Sequence, residues 1–130
     1  MTVLNNSDAR KIQMALWTHL KDSDVSAVIE LDNRTEASDG VTDFVVIKTN
    51  GYVLNKAGHG RCVVLVDMYA KDLDQKGTIN MDKLTDMFDL LDGCLPYNVA
   101  PYTFSIKNQV GKRDTLGYHI TSVNLDCLIY

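Results

Sequence analysis

A chain of 130 residues, 45% apolar and 23% charged, is long enough for one hydrophobic core and has the composition of a folded domain, not of a disordered tail. Its net charge is −4, and its densest basic spots are only the pairs Arg10-Lys11 and Lys112-Arg113. That dispersal excludes the basic face with which a protein grips nucleic acid without sequence preference, or docks on anionic lipid.

The longest apolar run, Cys62 to Val66, is too short to span a bilayer, and the stretch MTVLNNSDAR lacks the apolar centre of a secretory signal. Cys62, Cys94 and Cys127 are odd in number and embedded in apolar sequence. They read as small packed side chains in a reducing, cytosol-like compartment, not as a disulfide frame.

Ser7 is a good N-cap, with Asp8 in the first turn where the helix dipole favours an anion. Ala9, Ile12, Leu16 and Leu20 then share one stripe, so a helix is expected over 7–22. The β-branched run Val25–Leu31 reads as a first strand, and the polar DNRTEASDG (32–40) as a loop.

FVVIKT-NG-YVLNKA (44–57) has the pattern of a two-residue hairpin, since Asn50-Gly51 suits the positive φ angles of a type I′ turn. That turn would pair Thr49 with Tyr52, Ile47 with Leu54 and Val45 with Lys56 on one face, and Lys48 with Val53 and Val46 with Asn55 on the other. Both faces then carry apolar groups, which predicts that another chain covers part of the second one.

Gly58-His59-Gly60 breaks the pattern. In the strand that follows, Cys62, Val64, Val66, Met68 and Ala70 point one way, while Arg61, Asp67 and Tyr69 make a mixed opposite face. Asn80 is the expected cap of a second helix with the stripe Leu84, Met87, Phe88, Leu91 and Leu95, and Gly93 is placed for a left-handed end. Pro96 and Pro101 bracket an extended connection. Two closing strands are expected, Tyr102 to about Lys107 and Leu116 to Tyr130, joined by a turn around Gly111.

The whole is a single domain over 1–130 of α+β class. A mostly antiparallel sheet carries two helices on one face, in the order α-β-β-β-β-α-β-β.

Five candidate chemistries lie on this frame. The turn from Asp72 to Lys83 places Asp72, Asp74, Gly77, Ile79 and Asn80 on the first, third, sixth, eighth and ninth positions of an EF-hand loop. However, Lys76 and Lys83 stand where calcium needs oxygen ligands. Of His59, Cys62, Cys94 and Cys127, only His59-x-x-Cys62 comes near the close-pair spacing of structural zinc, and scattered Cys and His in apolar strands are usually just packed. His19, His59 and His119 have no nucleophile motif around them, and the glycines match no phosphate loop. Asp86 and Asp89 read as a solvated face of the second helix. No catalytic, cofactor or metal residue is therefore expected, and the chain reads as a non-enzyme.

The tyrosines Tyr52, Tyr97, Tyr102 and Tyr130 suit contact surfaces. With Phe44, Val46, Lys48, Val53 and Asn55 of the hairpin, they form the expected interface.

The strand VVLVDMYAKD (63–72), followed by a short loop and an amphipathic helix ending in LLDGCL, resembles the central unit of phage tail-terminator and tail-completion proteins. Helix 7–22, hairpin 44–57 and the final strands 102–130 follow the same ground plan. The DLDQKG turn departs from it. The resemblance implies a virion protein, synthesised in the host cytoplasm, that forms a homo-oligomeric ring at the head–tail junction or tail end. Its partners would be copies of itself and other head–tail or tail proteins. It would bind no membrane and no specific nucleic acid, although DNA would be free to pass through the ring. The alternative reading is a small monomeric binding module built around the EF-hand-like turn 72–83.

Overall fold

The computed structural model of the chain describes residues 6–26, 28–31, 42–54, 60–114 and 117–129. It has two helices and a six-stranded sheet in the order α1 (Asn6–Asp22), β1 (Ile29–Leu31), β2 (Asp43–Leu54), β3 (Gly60–Lys71), α2 (Met81–Gly93), β4 (Tyr97–Val99), β5 (Tyr102–Asp114) and β6 (Tyr118–Ile129). Across the sheet the strands lie β1-β2-β3-β6-β5-β4. Only the β1–β2 pair is parallel; the others are antiparallel. The α+β class and the mostly antiparallel sheet agree with the sequence, while the strand order differs in two places.

The first difference is Asn50-Gly51. The expected hairpin turn is absent, because β2 runs straight through the pair and lies along β3, with Thr49 opposite Val64 and Tyr52 opposite Cys62. Asn50 and Gly51 together face the single residue Val63, which is a β-bulge. The conformational freedom that suits Asn-Gly to a tight turn suits it equally to an extra residue in one strand. The pairings of Thr49 with Tyr52, Ile47 with Leu54, Val45 with Lys56, Lys48 with Val53 and Val46 with Asn55 are therefore corrected. Ile47 pairs with Val66 and Val45 with Met68. The β2–β3 connection falls at 55–59, outside the described residues.

The second difference follows α2, where the proline-bracketed segment forms the short strand β4. Both bracketing peptide bonds, Leu95-Pro96 and Ala100-Pro101, are cis. The closing hairpin is also longer than expected. Gly111 lies inside β5 opposite Thr121, and the reversal comes near Gly117, at φ +86°.

One sheet face carries both helices. Ile12, Leu16 and Leu20 of α1 and Met87 and Leu91 of α2 pack on Val45, Ile47, Cys62, Val64, Val66, Met68, Val123, Leu125 and Cys127. The five alternating residues of β3 expected to form a core face, Cys62 to Ala70, are all buried. The Trp17 indole N–H donates to the Ile29 carbonyl at 3.0 Å, holding α1 over β1.

Asn80 caps α2 as expected, its side-chain oxygen accepting from the Lys83 amide at 3.2 Å. The other end does not use Gly93. The cap is Cys94, with φ −100°, whose amide bonds back to Leu91 and Asp92.

Candidate functional site

The sheet ends unevenly on its two sides. β4 pairs only with Tyr102–Phe104, so the rest of β5, Ser105–Asp114, has no outer strand among the described residues. On the opposite side β1 pairs only with Val45–Ile47, which leaves Lys48–Leu54 of β2 without an outer strand among the described residues. Register through the sheet shows how the two openings relate. Ile47 continues through Val66 and Val123 to Gln109, and Tyr52 through Cys62 and Cys127 to Phe104. β1 thus occupies the level of Gln109–Gly111, and β4 the level of Tyr52–Leu54. Unpaired strand edges of this kind are templates for another chain.

The face of the sheet away from the helices is divided. At one end Phe44, Val46, Tyr69 and Tyr118 form a second buried cluster, with Phe44 stacked on Tyr69 at 4.3 Å and edge-on to Tyr118 at 5.4 Å. Polar groups follow along the strands. Asp67, only 7% exposed, accepts from the Ser122 hydroxyl at 2.6 Å and lies 3.4 Å from the Lys48 ammonium. Further along, Arg61 grips Asp126 with two hydrogen bonds of 3.0 and 2.7 Å. The guanidinium holds the Asp126 carboxyl below its usual range. Asn124 donates to Asn108 across the β5 bulge.

The EF-hand-like turn is closed by its own side chains. Asp74 accepts from the amides of Lys76 and Thr78 through one oxygen, at 2.9 and 3.1 Å, and from the Thr78 hydroxyl through the other, at 2.8 Å. The Thr78 bonds lower the Asp74 carboxyl from its ordinary value. Asp72 turns instead to His119 of β6, Oδ1 to Nδ1 2.6 Å. The two carboxylates thus serve different partners. The end of the Arg113 side chain lies against Gly77, which holds φ +87°.

Between the start of α2 and the β5–β6 hairpin runs a groove of about 380 Å³, lined by Met81, Leu84, Gln109, Arg113, His119 and Thr121 among others. A second hollow of about 320 Å³ continues it towards Phe88. Met81 is 58% exposed at its rim. Among the described residues no group of three or more His, Cys, Asp or Glu is arranged to hold a metal ion.

No family model matches the chain. Nor does any curated protein.

The expected interface residues separate into three sets. Phe44 and Val46 were expected at a contact with another chain, but the single chain already buries both completely, so they belong to its interior. Lys48 is half-buried beside Asp67. Tyr97 and Tyr102 are half-buried against the core: Tyr97 is stacked on His19 at 3.5 Å, while Tyr102 lies 6.3 Å from Phe104. Tyr52 and Val53 fall on β2, opposite Cys62 and Arg61, and their side chains lie outside the description. Asn55 and Tyr130 lie outside the described residues altogether. Sequence reasoning missed the open stretch of β5. Its alternating pattern is broken by Asn108 and Gly111, which look like turn formers.

Proposed function

We propose that the chain is a non-enzymatic structural protein of a phage virion, which packs side by side with copies of itself into a ring at the head–tail junction or tail end. The observation that carries the reading is that, among the described residues, one sheet has an open strand edge on both sides. A closed ring requires two different patches on each subunit, and the two edges are different patches on opposite sides. The order of elements supports it too: a first helix, the long antiparallel pair β2–β3, a helix laid on the sheet and a final pair of long strands. The carboxylates also favour architecture over chemistry, because Asp67 and Asp126 on the sheet and Asp72 and Asp74 in the turn after β3 each have a partner within the chain. Partners other than itself would be neighbouring head–tail or tail proteins.

The test is assembly. Sedimentation velocity from micromolar to millimolar concentration, with negative-stain imaging of the same samples, is expected to reveal a discrete multimer and closed rings. A chain that stays monomeric throughout, and is missing from purified particles, overturns the reading.

A further inference from the structure

We propose that the two sheet edges are complementary steps. A second copy of this chain adds its β1 beside Gln109–Gly111, while β4 of the first settles beside residues 52–54 of the second. This rests on the self-assembly reading above and specifies its contact.

The argument is one of register. β1 and β4 are each three residues long, and each covers only one end of its edge. β1 stands at the level of Gln109–Gly111 and β4 at the level of Tyr52–Leu54. One edge therefore projects where the other is recessed. A neighbour placed sideways with no shift along the strands brings β1 and β4 into the same strand position, end to end.

Strand direction permits it. β1, β2, β4 and β6 run one way, and β3 and β5 the other. An incoming β1 is then antiparallel to β5, and β4 parallel to the incoming β2. Both contacts satisfy backbone groups that no described strand pairs.

Charge points to the same occupant. The open part of β5 carries exposed Lys107, Lys112 and Arg113. In the unshifted register, Glu30 of the incoming β1 is the diagonal neighbour of Lys112 on the same face. Opposite potentials across a contact steer encounter and fix its register.

With no shift, Glu30 of one copy lies opposite Val110 of the next. Both continue the row Val46–Asp67–Ser122 and so share a face. Within one chain they are four strand spacings apart, about 19 Å, which no disulfide bridges.

Glu30→Cys and Val110→Cys are made as separate single variants, each checked for an unchanged melting temperature, then mixed and oxidised. The mixture is expected to give a covalent dimer on a non-reducing gel, while neither variant alone does. In the unsubstituted protein, amide exchange at 29–31 and 109–111 is expected to slow at least tenfold as the multimer forms. A multimer without cross-link or protection overturns the stepped contact and leaves the ring standing. A monomer at every concentration overturns the stepped contact, and one that is also missing from purified particles overturns the ring as well. Protection at 109–111 that appears only with another virion protein assigns the edge to that partner and ends the self-pairing.

Discussion

Asp67 is the residue on which the polar half of the second sheet face turns. Its carboxylate lies in the middle of β3, almost out of water, where it accepts from Ser122 and faces Lys48. Truncation to alanine leaves the Ser122 hydroxyl, itself buried, without its acceptor, a cost of about 1–3 kcal/mol. Urea denaturation of Asp67→Ala is expected to show a loss of that size, and Asp67→Asn, which keeps an acceptor for Ser122, a smaller one. A second residue-scale effect concerns the thiols. Burial pushes Cys62 up to about 11 and Cys127 up to about 12, with Cys62 adding to the latter. Both therefore stay protonated in the folded state where an unfolded thiol, near pH 8.5, has ionised. The unfolded state then binds fewer protons, so stability falls as pH rises from about 8.5 through those values. The carboxyls of Asp74 and Asp126 are held low instead, so what they contribute is present above about pH 3.8 and disappears as pH falls through their folded values. Thermal melts across pH should thus decline at both ends. At neutral pH a thiol reagent should reach half-buried Cys94 well before the other two.

At the scale of elements, the readable parts were those whose signal is local. The α1 stripe, the alternating β3 face and the Asn80 cap depend only on residues a few positions apart, and each lies where the spacing puts it. The misread parts were those decided by pairing. Asn50-Gly51 has the same chemistry in a turn and in a bulge, and only the presence of β3 alongside both halves of β2 selects the bulge. Gly111 likewise looks like a hairpin end until β6 is seen to run past it, and β4 is too short to show against its flanking prolines. The open edges arise from these same elements, which is why the candidate site was less legible than the fold. Gly93 gives a test of one such correction. It closes α2 in a helical conformation and not in a left-handed one, and a Cβ there meets nothing within 4 Å. Gly93→Ala is therefore expected to raise stability by about 0.5–1 kcal/mol, read as a higher urea midpoint. A left-handed cap would give the opposite sign.

For the whole molecule, the arrangement of charge bears on how subunits meet and on what the DLDQKG turn does. Asp74 is held by the turn's own amides and Asp72 by His119, so calcium would have to displace bonds already made, next to Lys76. Added calcium is expected to leave the melting temperature unchanged, whereas a site that binds only the folded chain must raise it. The stepped edges make a stronger demand. If exposed Lys112 of one subunit lies beside Glu30 of the next, assembly depends on charges that salt screens over about 8 Å at physiological ionic strength. Raising the salt should then weaken association, and Lys112→Glu should weaken it further at low salt, with the melting temperature of the subunit little changed. Burial of apolar surface responds in the opposite sense, since sulfate and phosphate strengthen it. Sedimentation in rising sodium chloride, set against rising sodium sulfate, separates the two. Dissociation in chloride that Lys112→Glu reproduces assigns the contact to the β5 edge. Association that is indifferent to chloride and strengthened by sulfate moves it to an apolar surface, such as the groove beside Met81.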